Sequence, residues 1–194
     1  MGEISMIRRL SPGRLVAATH NKGKVSELKD LFEPLGFDVV SAIDLDLPEP
    51  EETETTFVGN ARIKARAAVE ATGLPALADD SGIEVDGLNG APGVYTADWA
   101  ETPDGRDFVM AMERTHRELL DLGVAEPWGA RFCFTLVLVW PDGHEEIFAG
   151  QAPGHLVWPM RGRLGHGYDP IFVPEWYDVT FAEMAPEQKN LISH

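Results

Sequence analysis

Cysteine is nearly missing from this chain: Cys133 is the single one in 194 residues. No internal disulfide framework can exist, and a reducing cytoplasm is the expected setting. Its place in the apolar run Phe132-Cys133-Phe134-Thr135-Leu136-Val137-Leu138-Val139 predicts a core thiol rather than a nucleophile. Basic residues are scarce as well, with 16 Lys+Arg against 32 Asp+Glu and a formal charge of −16. That balance excludes a nucleic-acid-binding surface, because phosphate backbones are neutralised by basic patches. No apolar run approaches the roughly 20 residues that cross a bilayer, so no membrane partner is expected. The two arginines near the start are followed by no apolar stretch, so residues 1–13 read as a disordered leader rather than a signal peptide. Internal repeats, low-complexity tracts and interdomain linkers are also absent. What remains is the composition of an ordinary globular protein, 44% hydrophobic and 25% charged, long enough for one domain with a substantial core.

The chain has five lysines, and Lys22, Lys24, Lys64 and Lys189 fall in segments that stand out on other grounds. In so acidic a protein, a polyphosphate would depend on those cations and on a divalent metal. The bland alternative, lysines on solvated helix faces, suits Lys29. The strand-like run Arg14-Leu15-Val16-Ala17-Ala18 leads into Thr19-His20-Asn21-Lys22-Gly23-Lys24, then a helix with Leu28, Leu31, Phe32 and Leu35 on one stripe. Backbone N–H groups and the dipole at such a helix start suit an anion. Plain helix capping is the competing reading, and the Walker spacing G-x-x-x-x-G-K-[ST] is not present.

The densest chemistry lies at Ala78-Asp79-Asp80-Ser81-Gly82, where two carboxylates follow the apolar run Leu74-Pro75-Ala76-Leu77-Ala78. An apolar run stopping at acids predicts a buried strand that delivers them at its end. Neighbouring side chains on a strand point to opposite faces, so Asp79 and Asp80 should do different jobs. An Asp-Asp-Ser-Gly turn is the alternative. Phe37-Asp38-Val39-Val40 alternates like a strand, and the acidic, proline-bearing stretch from Asp44 to Thr56 reads as a solvated loop from which a glutamate could reach a metal. Thr56 is a good N-cap for a helix from Phe57 to about Ala71, which sets Asn60 and Lys64 on one face. A strand is expected at Gly82–Asp86 and a glycine- and proline-broken loop at Asn89–Gly93. A long helix is expected over about Asp104–Leu122, with strands at Ala130–Trp140 and Glu145–Ala149 joined by a Pro141-Asp142-Gly143 hairpin turn. Arg161–Pro170 gathers three glycines, two arginines and two rings, a composition suited to close backbone approach and to stacking on a base. A further strand is expected at Ile171–Val173, and a helix begins near Gln188.

These segments, in this order, closely resemble the inosine triphosphate pyrophosphatase family. The blocks are Thr19-x-Asn21-x-x-Lys24, Phe57-x-x-Asn60-Ala61-x-x-Lys64-Ala65, Ala78-Asp79-Asp80-Ser81-Gly82, Gly90-Ala91-Pro92-Gly93 and Gly167-Tyr168-Asp169-Pro170-Ile171-Phe172, extended by Thr180–Met184 and Lys189-Asn190-x-Ile192-Ser193-His194. The resemblance covers nearly everything from Arg14 onward. It implies an α/β fold with a long mixed central sheet flanked by helices, and two lobes with the active-site cleft between them. Residues 14–194 would form a single two-lobed catalytic domain, its C-terminal helix cut short. The implied activity is Mg2+-dependent cleavage of non-standard purine nucleoside triphosphates (ITP, dITP, XTP) to the monophosphate and pyrophosphate, by a cytoplasmic homodimer.

Carried over, the resemblance sets Thr19, His20, Asn21, Lys22, Gly23 and Lys24 around the triphosphate, with Lys64 assisting. Glu52 and Asp80 would hold the metal, and Asp80 would also accept the proton of the attacking water. Ser81 would contact substrate, and His166, Gly167, Tyr168, Asp169, Lys189 and His194 would surround base and sugar. Three departures stand out. His166 occupies a position where the family usually has phenylalanine, the family's arginine after the Ser-His pair is missing, and Glu51 or Glu54 competes with Glu52 as ligand. Other readings are a Maf-like pyrophosphatase of modified pyrimidine nucleotides, a general metal-dependent phosphomonoesterase, and a non-catalytic nucleotide-binding protein. Product analysis separates them.

Overall fold

The first apolar run folds as β1 (Arg14–Ala17) and the first capped helix as α1 (Lys22–Phe32). The computed structural model describes residues 8–193. There follow β2 (Asp38–Ser41), α2 (Phe57–Thr72), β3 (Ala76–Val85), the two-residue strands β4 (Glu101–Thr102) and β5 (Gly105–Arg106), α3 (Phe108–Asp121), β6 (Trp128–Val139), β7 (Glu145–Leu156), β8 (Phe172–Pro174) and α4 (Pro186–Ile192). Six strands form one mixed sheet in the order β2-β1-β3-β6-β7-β8. β1 runs parallel to β2 and β3, and β8 antiparallel to β7. The fold is therefore a mixed α/β sheet flanked by helices. The chain divides into two units, one of residues 8–80 with 135–148, the other of residues 81–134 with 149–193.

In the first unit, strand alternation sorts the core onto two faces. Leu15, Leu77, Leu138 and Trp140 pack with Leu28 and Phe32 of α1. Val16, Ala76, Ala78, Val137 and Val139 pack with Ala61, Ala65 and Ala68 of α2, whose small side chains let the helix lie close to the sheet. Thr56 caps α2 as expected, its side chain accepting from the Gly59 N–H. The second unit has its own core, in which Phe132, Phe172 and Phe181 cluster with ring centroids 4.7–5.9 Å apart and Met112 and Leu119 of α3 are buried.

Several expectations need correction. β3 does not stop at its acids but runs on through them to Val85, joining the apolar run and the strand expected from Gly82 into one. Leu31 and Leu35 do not join the α1 stripe; they are 65% and 63% exposed, since the helix gives way to a 3₁₀ turn over Glu33–Leu35. The helix expected from Asp104 begins at Phe108, where the Asp107 side chain accepts from the Met110 N–H, and a β4–β5 hairpin takes the preceding residues. Leu122, expected on the apolar face of that helix, is exposed beyond its end. β7 extends to Leu156, seven residues past the expected end. Of the expected leader, residues 1–7 lie outside the described residues, but Arg8 donates to Asp142 at 2.6 Å and Leu10 packs on the α1 side of the sheet. Cys133 is buried as foreseen, and burial raises its thiol pKa to about 11.

Candidate active site

The two carboxylates of β3 inherit the alternation of the strand. Asp79 shares the face of Leu77, the α1 side, and accepts a hydrogen bond from Lys24 Nζ on that helix. Asp80 shares the face of Ala76 and Ala78, the α2 side, and accepts from Asn60 Nδ2 at 3.3 Å. Both acids are buried. Adjacent residues thus serve different partners, as the sequence implied, and the turn reading is set aside by the continuous strand.

The loop before α1 is built as a helix cap. Asn21 Oδ1 accepts from the N–H groups of Gly23 (2.9 Å) and Lys24 (3.3 Å), and Asn21 N donates to Thr19 Oγ1 at 3.1 Å. Two of the backbone donors foreseen for an anion are therefore already engaged. With its oxygen committed, Asn21 turns its amide N–H₂ the other way. What this loop offers an anion is that amide, the exposed Lys22 and the half-buried Lys24. His20 is held differently from the expectation of a ligand contact: its Nε2 lies 2.8 Å from the Leu47 carbonyl oxygen, at the head of the acidic loop. His20, Leu47, Pro48, Pro50 and Lys64 line a small cavity of about 70 Å³.

The acidic loop is drawn onto α2. Lys64 Nζ lies 2.7 Å from Glu52 Oε1, and Glu54 N donates to Asn60 Oδ1 at 3.0 Å. Of the three candidate glutamates, Glu52 is the one whose carboxylate reaches this helix lysine, whereas Glu54 is tied by its backbone. Lys64 and Asn60 lie one turn apart, a spacing of about 5–6 Å between Cβ atoms. One helix face therefore holds both Glu52 and Asp80. Among the described residues no group of three or more His, Cys, Asp or Glu side chains is arranged to hold a metal. Two carboxylates suit an ion such as Mg2+, which takes one or two protein oxygens and completes its shell from substrate phosphates and water.

The second unit carries the remaining residues of interest. Asp169 is 2% exposed, and its Oδ2 accepts from Lys189 Nζ (2.5 Å) and from the His166 N–H (2.8 Å). Gly165 makes room for this, at φ +73; a Cβ there would fall 2.0 Å from Asp169 Oδ2. The His166 side chain is exposed. Tyr168 is not placed to stack on a base, being 1% exposed with its ring edge-on to Phe108 at 6.1 Å. Burial raises its phenol pKa to about 12. Its motif position marks a core residue that locks the loop, so its backbone is what the loop can present. Ser81 is half-buried on β3, and His194 lies outside the described residues. Asn60 is the functional candidate to which sequence reasoning gave no role, although it stands in a resemblance block and on one helix face with Lys64; its burial and its two partners supply the rest.

Fold and site together define an α/β protein in which Lys24, Lys64 and Lys189 are each paired with a carboxylate. The Ham1 family model matches residues 15–194, and the chain belongs to that family. It is 64% identical to a dITP/XTP pyrophosphatase of Ruegeria pomeroyi over 97% of this chain and 93% of that protein. It is 56% identical to a dITP/XTP pyrophosphatase of Rhizobium meliloti, covering 95% and 87% respectively. A HAM1 protein of Coxiella burnetii superimposes with a TM-score of 0.87 at 34% identity, over 95% of this chain and 92% of the other. A nucleoside-triphosphatase / dITP/XTP pyrophosphatase of Mycobacterium abscessus superimposes with a TM-score of 0.79 at 38% identity, over 93% and 92%. The resemblance read from the sequence blocks is borne out.

Proposed function

We propose that this protein is a pyrophosphohydrolase of non-standard purine nucleoside triphosphates, converting dITP, XTP and ITP to the monophosphate and pyrophosphate. The observation that carries the reading is the division of labour at Asp79 and Asp80. One buried carboxylate fixes a lysine from the first turn of α1, and its neighbour is aimed from the same strand toward the helix that holds Glu52.

In this reading Lys24, Lys22 and the Asn21 amide take the phosphate oxygens, and Lys64 adds a cation beside Glu52. Glu52 and Asp80 would hold Mg2+, which when bound supplies neutralising charge for the departing pyrophosphate. Asp80 orients the attacking water toward the α-phosphorus and accepts its proton at a carboxylate oxygen. Water oxygen bonds to the α-phosphorus as the bond to the bridging oxygen breaks, and pyrophosphate leaves. Lys189, His166 and the backbone of Gly167–Asp169 would contact base and sugar. Rejection of ATP follows if its 6-amino group leaves buried polar groups unpaired, which makes discrimination of order 10⁴ available; GTP, also a 6-oxo purine, would have to be rejected through its 2-amino group. A cytoplasmic setting and a homodimer belong to the same proposal; sedimentation at micromolar concentration should give twice the 21.3 kDa chain mass.

The test is product analysis with dITP, XTP, ITP, ATP and GTP in Mg2+. The reading requires monophosphate plus pyrophosphate, and higher kcat/KM for the first three. Release of orthophosphate instead identifies a phosphomonoesterase, and equal rates across all five remove the selectivity for non-standard purines.

A further inference from the structure

Asn60 is buried in α2 at 2% exposure, and both halves of its amide are committed. Oδ1 accepts from Glu54 N at 3.0 Å and Nδ2 donates to Asp80 Oδ2 at 3.3 Å. The partners fix this orientation, since a backbone N–H requires the oxygen and a carboxylate requires the nitrogen. One side chain therefore joins the acidic loop to the carboxylate of β3. A second feature shows that the loop is seated on this turn of helix. A Cβ on Gly59 would come within 2.6 Å of Glu54 Cβ and 2.9 Å of Thr56 Oγ1, so only glycine permits the approach. One turn further on, Lys64 holds Glu52.

We infer that Asn60 is a positioning residue that sets the acidic loop, and with it Glu52, in register with Asp80. The inference rests on the pyrophosphohydrolase reading for its kinetic consequence, but the tether itself is a property of the fold. No other side chain of this size fills the position. Leucine would remove the bonds that Asn60 makes to the Glu54 N–H and to the Asp80 carboxylate, and aspartate would keep the bond to Glu54 while setting a second carboxylate against Asp80. The two functions of the amide are thus separable by substitution. Asn60→Asp removes the arm to Asp80 and retains the arm to the loop; Asn60→Ser is too short for either. Gly59→Ala disturbs the loop seat while leaving the Asn60 amide in place.

Two measurements test this. The first is hydrogen–deuterium exchange of the segment containing Glu54, which needs neither metal nor turnover. Exchange should quicken by about tenfold or more in Asn60→Ser and Gly59→Ala and stay near wild type in Asn60→Asp, because only the first two release the loop amide. The second is steady-state kinetics with dITP. Asn60→Asp should lose about 10- to 100-fold in kcat with KM within about threefold, the pattern of a group acting through a site carboxylate rather than through ground-state binding. Wild-type exchange in Asn60→Ser, or wild-type kcat in Asn60→Asp, overturns the inference. If Asn60→Ser does not fold, the kcat of Asn60→Asp decides the inference, since that variant keeps the arm to the loop and removes only the arm to Asp80. If wild-type protein releases no pyrophosphate from dITP, the functional reading fails by itself, and the exchange data still decide the tether.

Discussion

Replacing Asp169 should be among the most damaging single changes in the second unit. Its carboxylate is almost fully enclosed, and the same oxygen accepts from Lys189 Nζ at 2.5 Å and from the His166 N–H. Lys189 is itself largely covered, its side chain 14% exposed, with Nζ 5.3 Å from the Phe181 ring centroid. Asp169→Ala leaves a largely covered ammonium group and a backbone N–H without their acceptor. Breaking one side of such a pair costs about 3–5 kcal/mol. With a urea m-value of about 2 kcal/mol/M, the unfolding midpoint should fall by about 1.5–2.5 M. Asp169→Asn keeps an acceptor for His166 and should lose about 1.5–3 kcal/mol, the worth of hydrogen bonding to a charge. Lys189→Met combined with Asp169→Ala should cost less than the sum of the singles, by about 1–3 kcal/mol, because the double variant leaves no stranded charge. Urea unfolding followed by circular dichroism and tryptophan fluorescence measures the wild type, the three single variants and the double variant. A loss below 1 kcal/mol in Asp169→Ala, or strict additivity in the double variant, would refute the reasoning.

The remaining predictions concern separate sites. Asp80→Asn should remain folded, with an unfolding midpoint near wild type, while pyrophosphate release from dITP falls at least about 10³-fold; near-normal turnover removes Asp80 from its role. Trp176 holds φ +70 while 91% exposed, a conformation costing about 1–2 kcal/mol outside glycine, so Trp176→Gly should raise the urea midpoint, and a lower one contradicts the account. Cys133, its thiol pushed up to about 11 by burial, stays protonated through pH 9.5. Iodoacetamide should therefore label the native protein far more slowly than the urea-unfolded protein at pH 9.5, with a native rate that keeps rising beyond pH 9.5; a native rate that levels off near pH 9 would show an ordinary, exposed thiol.

Much of this architecture was readable because its signals are local. Thr56 as cap, the Pro141-Asp142-Gly143 hairpin and the buried run around Val137 follow from turn chemistry and apolar pattern alone. The opposite commitments of Asp79 and Asp80 follow from strand alternation. What escaped depends on partners far along the chain. Strand signals stand on both sides of the acid pair, but nothing local shows their fusion into one strand through it, because the groups that partner the two carboxylates sit on α1 and α2. Leu31 satisfies a helical stripe on paper but is exposed, since the stripe's fate depends on where the 3₁₀ turn redirects the chain. His20 and Tyr168 carry ring chemistry that sequence assigns to a ligand. The structure spends one on a loop carbonyl and the other on the core, and only tertiary placement distinguishes these uses.

Charge pairing has a consequence for binding that reaches beyond any single residue. Lys24 ends on Asp79, Lys64 on Glu52 and Lys189 on Asp169. Each pair holds an ammonium head in one place, so less of the lysine rotamer entropy, about 2 kcal/mol per free side chain, is lost when phosphate arrives. Each pair is also neutral as a unit, in a chain whose overall charge is −16. Preorganised lysines of this kind supply direction but little net attraction, so a triphosphate should meet a repulsive field unless a divalent cation restores positive charge near Glu52 and Asp80. Affinity for a non-hydrolysable α,β-imido analogue of dITP should therefore weaken by at least about tenfold, or 1.4 kcal/mol, when Mg2+ is replaced by EDTA at fixed ionic strength. Calorimetric titration reads this directly. Equal affinity in both conditions would mean that the lysines alone outweigh the acids around them, and the electrostatic argument would fail.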